Sequence, residues 1–303
     1  MGSNRLSSAS RDRLSTRIVH GPILKSQFVR AMDWIAKINP ELSYALRSGF
    51  RGMAFQFRSS IGPPPVRLRD DIGTYSHLFA RASQNFSEVL TPYQAEIKWP
   101  RGRIFNNLFE SVDAELYYSM IRFFRTARII EVGSGNSTWF AVDALRENGK
   151  GTIISIDPKP RIALPRRVQV LKQPVEEVDL SIFQELAAND ILFVDASHTD
   201  QEARYATDCI YPLLEPGVLI HHHDISFPYL AFASVVRDLG ESSEEAVILN
   251  FLASQREEYE IFTASAFVGY EDPVMVRRLV PSSRYARWSN QSSLWISKLP
   301  RPS

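Results

Sequence analysis

The chain has 303 residues, enough for one large domain or two modest ones with buried cores. Hydrophobic residues make up 44% and charged residues 23%, which argues against a disordered or membrane-embedded chain. The net charge of +1 sets up no global field for a polyanion, so nucleic acid is not an expected partner.

The one cysteine, Cys209, excludes an internal disulfide framework and suits a reducing compartment. No apolar run reaches the roughly 18 residues that span a bilayer, and the start lacks the apolar core of a secretory signal. The expectation is a soluble, cytoplasmic protein.

Residues 1–20 are rich in Ser and Arg and show no periodicity. From Pro22 to Ile38 apolar residues recur at helical spacing, and a second helical stretch follows Pro40. Up to residue 60 there are ten Lys/Arg against three Asp/Glu. That basic excess reads either as a solvated face or as a contact with an anionic membrane surface or partner. Ile61-Gly-Pro-Pro-Pro-Val66 is a stiff linker. Residues 1–100 therefore read as a helical, basic extension, with a further helix within 70–98, and residues 101–303 as the main domain.

In that domain a helix is expected over Val112–Arg125, with Leu116, Tyr117, Met120, Ile121 and Phe124 on one stripe. Strands are expected at Arg128–Val132, Gly151–Ile156, Val168–Leu171, Asp190–Val194, Gly217–His221, Glu260–Phe262 and Leu294–Ile296, with helical patterns in several gaps. This alternation specifies an α/β fold: a Rossmann-like, doubly wound, seven-stranded, mostly parallel sheet. Nothing in the sequence sets an oligomeric state.

The most informative stretch is Arg128-Ile-Ile-Glu-Val-Gly-Ser-Gly-Asn-Ser-Thr-Trp-Phe140. A strand ends in an acid, turns on Gly133-Ser134-Gly135, and enters a helix that Ser137 and Thr138 can cap. Further on, Ile153-Ile-Ser-Ile-Asp157 supplies a second strand ending in a carboxylate able to accept from both ribose hydroxyls of a nucleoside. A nicotinamide fold shares this outline. However, the third glycine is missing, and Glu131 would stand beside a pyrophosphate. S-adenosylmethionine has no phosphate, which favours a methyltransferase over an oxidoreductase.

Several separated motifs carry a specific resemblance. Asp113-Ala114 with Tyr118, Ile129 to Thr138, Ile156-Asp157-Pro158, Asp190 to His198, and His221-x-His223-Asp224-Ile225 together resemble the methyltransferase group often called type 24. The likeness covers roughly the last two hundred residues.

The resemblance implies a class I S-adenosylmethionine-dependent methyltransferase acting on a hydroxyl of a sugar, glycan or glycosylated natural product. Glu131, Gly133, Ser134, Gly135, Ser137, Thr138, Asp157, Pro158, Gln173, Asp195 and Ser197 would hold the cofactor, with Gln173 to Glu176 near the adenine. Asp195, His223 and Asp224 would bind a magnesium or manganese ion, and His198 would be the general base. Because His223 stands where a carboxylate or amide is usual, manganese is the better match.

Plainer readings run beside these. His198 can be a structural histidine, and His221 and His223 can simply bond the acceptor, with strand alternation turning His222 away. Other functions to weigh are a small-molecule N- or phenol O-methyltransferase and a non-catalytic nucleoside-binding scaffold. The segment from Ser226 to Glu245 is expected to cover the acceptor.

Overall fold

The computed structural model describes residues 76–106, 108–226, 244–285 and 291–300, with isolated residues between 30 and 46. The readings made for residues 1–20, for Ile61–Val66 and for most of the basic extension lie outside the described residues, as do residues 227–243 of the expected acceptor cover. Among the described residues no helix is long and apolar enough to cross a membrane.

Helix α1 (Ala82–Leu90) precedes α2 (Asp113–Phe123). The sheet strands are β1 (Arg128–Val132), β2 (Thr152–Ile156), β3 (Gln169–Leu171), β4 (Ile191–Val194), β5 (Leu219–His222), β6 (Tyr259–Ala264) and β7 (Leu294–Lys298). Their order is β3-β2-β1-β4-β5-β7-β6, as expected for a doubly wound sheet. β1 to β5 run parallel, and β7 inserts antiparallel between β5 and β6. Helix α3 (Asn136–Glu147) follows β1, α4 (Asp200–Tyr205) follows β4, and α5 (Glu244–Ser254) leads into β6.

The central strand β4 is a continuous apolar run, as expected where helices cover both faces of a sheet. Every residue of β4 (Ile-Leu-Phe-Val) is buried. Tyr117, Phe109, Phe140, Phe193 and Trp295 fill the core around them. The helix α1 falls within the stretch assigned to the extension, yet Ala82, Phe86, Val89 and Leu90 are in that same core. Asn85 Nδ2 donates to the Phe262 carbonyl and Thr263 Oγ1 to the Ala82 carbonyl, locking α1 onto β6. The proline-rich linker marked a composition change there, whereas the apolar face of α1 decides the packing.

The strand order reverses between β1 and β4, and open α/β sheets bind ligands at such a reversal. Val132 pairs with Val194, and Val194 with His222. The residues just beyond, Gly133, Asp195 and His223, therefore emerge side by side along one edge. Backbone bonds hold that row: Gly133 N donates to Ile156 O, Asp195 N to Val132 O, and His223 N to Val194 O.

Candidate functional site

A cleft of about 970 Å³ opens along this edge. That is the upper end of the range for small-molecule sites, enough for a nucleoside and part of an acceptor. At one end lie Gly133 to Ser137, Asp157 and Pro158; at the other lie Asp195, Ser197, His198, His223 and Asp224.

The two glycines of the turn serve different ends. Gly133 has φ +90°, and a Cβ there would sit 2.0 Å from the Asp195 carbonyl oxygen. Glycine is thus required for β1 and β4 to end together. At Gly135 a Cβ would meet nothing within 4 Å, so that glycine leaves open space over the turn.

Helix α3 begins at Asn136, with Gly135 N donating to Thr138 Oγ1 at 3.1 Å. Thr138 alone supplies a cap bond; Ser137, also expected to cap, lies within the helix and lines the cleft. Asp157, at the end of β2, accepts from Ser134 Oγ at 2.5 Å and from Lys159 N at 2.7 Å. The loop thereby fixes the carboxylate, and each oxygen keeps a lone pair for a ligand hydroxyl.

Three residues assigned to the cofactor do not line the cleft. Glu131 and Thr138 are buried beneath the turn. Glu131 accepts from Thr138 Oγ1 at 2.7 Å, Ser155 Oγ at 2.8 Å and Tyr117 Oη at 3.3 Å, tying β1, β2, α2 and α3 together. Burial drives its carboxyl up to about 7 against those three bonds. Gln173 turns back, its Nε2 donating to Glu177 O, and Pro174, Val175 and Glu176 line the cleft instead.

The other end is built from imidazoles and carboxylates. His198 Nε2 lies 3.5 Å from Asp195 Oδ1 and 3.4 Å from Asp224 Oδ2, and its Nδ1 lies 3.3 Å from Glu244 Oε2. Burial lowers the affinity of His198 for a proton. Glu244, with Asp224 and Asp195, outweighs that effect and holds the pKa up to about 9. His198 and Asp224 both adopt left-handed backbone, at φ 55° and 58°. Such conformations cost energy in non-glycine residues and gather at functional sites.

Of the histidine run, only His223 lines the cleft. Its Nδ1 lies 3.2 Å from Asp224 Oδ1 and 3.6 Å from Asp195 Oδ1, and its Nε2 lies 3.4 Å from Asp113 Oδ2. Burial opposes its protonation, but Asp195, Asp224 and Asp113 raise its pKa to about 10.

His221, expected beside the acceptor, instead stacks on Phe193 with ring centres 4.1 Å apart, its Nε2 2.9 Å from Ser293 Oγ. Burial lowers its pKa well below the usual value, so it is a neutral core residue. His222 points to the opposite face, as alternation predicts, with its Nε2 hydrogen-bonded to the Tyr211 hydroxyl.

The divalent ion implied by the resemblance does not fit this arrangement. Carboxylates face both nitrogens of His223 and favour its protonated form, in which neither nitrogen has a lone pair for a metal. Among the described residues no group of three His, Cys, Asp or Glu side chains is placed to hold a metal ion. The expected ligand set Asp195, His223 and Asp224 does come together, joined as a chain of ion pairs in which a protonated His223 would supply the positive charge.

Sequence reasoning missed several residues here. Asp113 was part of a quoted motif but had no role; it also accepts from Ser292 N at 2.8 Å. Glu202 lines the cleft and accepts from Ser197 N at 2.7 Å. Leu108 and Phe109 line it too, held by Asn106 Oδ1, which accepts from both backbone amides. Glu244 lies about 46 residues beyond His198, with no local pattern to mark it.

Residues 130–225 match a family model described as a methyltransferase domain. An uncharacterized protein of Archaeoglobus fulgidus is 38% identical over 94 residues, or 28% of this chain and 42% of that relative's length.

Among solved structures, the O-methyltransferase from Bacillus cereus in complex with SAH is 13% identical, with 75% of this chain and 96% of that one covered and a TM-score of 0.42. The MycE methyltransferase of the mycinamycin biosynthetic pathway, in complex with Mg and SAH, is 14% identical, with 78% and 63% covered and a TM-score of 0.39. At TM-scores below 0.5 neither likeness bears on the chemistry of this cleft. The segment similar to the methyltransferase domain runs from β1 to just beyond β5 and holds the glycine turn, Asp157, His198 and Asp224.

Proposed function

We propose that the protein transfers a methyl group from S-adenosylmethionine to a hydroxyl group, with a sugar, glycan or glycosylated natural product as acceptor. The observation that carries this reading is one cleft with a glycine turn and a strand-end carboxylate at one end and a histidine between carboxylates at the other. The sugar class rests on the resemblance of the separated motifs.

The residues suit the cofactor: the open space at Gly135 leaves room above the turn, and Asp157 is preset for ribose hydroxyls. When bound there, S-adenosylmethionine supplies an electron-poor methyl on a good leaving group. The chain's own part is to align the acceptor and remove its proton. Asp195, Asp224 and His223 present donors and acceptors that can orient a polyol. His198 Nε2, facing the cleft between Asp195 and Asp224, is placed to take the hydroxyl proton.

No part of this reading depends on a metal. Candidate glycans and glycosides incubated with methyl-labelled cofactor and examined by intact mass test it. A labelled mass gain on a hydroxyl-bearing acceptor, undiminished in excess chelator, supports the reading. Labelling confined to amines or phenols, or lost on chelation, overturns it.

A further inference from the structure

Glu244 stands at the start of α5 and does not line the cleft, yet it touches the one histidine placed to act there. We propose that Glu244 is a positioning residue for the transfer step: its carboxylate holds the Nδ1 edge of His198, directs Nε2 at the acceptor, and is itself anchored on His222. The inference rests on the reading of His198 as the base.

The geometry forms one line from the core to the cleft. The Tyr211 hydroxyl bonds His222 Nε2; His222 Nδ1 lies 3.5 Å from Glu244 Oε1; Glu244 Oε2 lies 3.3 Å from His198 Nδ1. Tyr211 and His222 are fully buried, and the Glu244 side chain is 10% exposed. Tyr211 is fixed in turn, its carbonyl accepting from Tyr259 Oη and Lys298 Nζ, both at 3.0 Å.

Glu244 also lies in the first turn of its helix, where unpaired amides favour a negative charge. A histidine whose one nitrogen is held by a carboxylate presents the other in a fixed direction. Here that matters more than usual, because His198 sits on strained left-handed backbone and is partly exposed. Without Glu244 the ring is held only at its Nε2 edge, by Asp195 and Asp224.

The test compares Glu244→Gln and Glu244→Asp in the full chain, alone and combined with His198→Ala. Acceptor kinetics are measured with cofactor affinity and the ¹⁵N signals of the His198 ring, assigned by their loss in His198→Ala. Glu244→Gln should lower kcat roughly ten- to a hundredfold, the usual cost of losing a group that orients an active histidine. Acceptor KM and cofactor affinity should stay within about twofold, and Glu244→Asp should recover part of the rate.

The Nδ1 signal of His198 should move in Glu244→Gln, and adding that change to His198→Ala should cost nothing further. Unchanged kcat and unchanged ¹⁵N signals overturn the proposal, as does an equal loss in the His198→Ala background. Should Glu244→Gln not fold, the Glu244→Asp signals and rate decide by the same criteria. Full activity of His198→Ala instead refutes the base assignment, a different failure that the ring signals separate from this one.

Discussion

The two ends of the cleft are made differently. The β1–β2 end is mostly backbone: a glycine turn, a helix start and one strand-end carboxylate already held by Ser134 and Lys159. The β4–β5 end is mostly side chain: the four carboxylates and imidazoles of Asp195, His198, His223 and Asp224 are linked by contacts of 3.2–3.6 Å, with Asp113 and Glu244 behind them. The first end has a shape before any ligand arrives. The second is a cluster of opposite charges, whose carboxylates favour the protonated forms of His198 and His223. A fixed cradle suits a ligand that is always the same, and a set of titratable groups suits a reaction that must move a proton.

Substitutions at the two ends should therefore fail in different ways. The largest effect should come where the ends meet. Gly133→Ala forces a Cβ against the Asp195 carbonyl at positive φ and should destabilise the fold by about 3 kcal/mol or more, read as a lowered Tm. Gly135→Ala, directed into open space, should leave Tm nearly unchanged and weaken cofactor binding only.

His198→Ala should lower turnover about a hundred- to ten-thousandfold while cofactor affinity, by calorimetry, stays put. Asp157→Ala should do the reverse, weakening cofactor binding by about 1–3 kcal/mol through unpaired ribose hydroxyls and affecting kcat little at saturation. Equal losses of affinity in both variants would abolish the distinction between the ends.

The same contrast separates what was legible in the sequence from what was not. The glycine turn, Asp157 and all seven strands follow local rules, because strand periodicity and turn chemistry act over a few residues. Glu131 was legible as a motif and misread in role: an acid at a strand end looks like a ligand group, while burial and three hydroxyl partners make it a tie between elements.

The histidine run was only half legible. Alternation separates His222 from its neighbours, but it cannot show that His221 packs on Phe193. Nor can it show that His223 lies between Asp113 and Asp195, because α2 and β4 are brought together by the fold alone. Glu244 was read only as part of the segment expected to cover the acceptor, since nothing near it in the chain reveals the two histidines it faces.

The central claim is that a histidine at the β4–β5 end takes the acceptor proton, and the pH dependence of turnover at saturating cofactor tests it most directly. His198 must be neutral to accept a proton, and its carboxylate neighbours hold its pKa up to about 9, so the reactive form is the minority at neutral pH. The account predicts a rate that rises about tenfold per pH unit from 7 and levels off near 9, with the slope gone in His198→Ala. A flat profile in the native protein, or the same slope in His198→Ala, would contradict it.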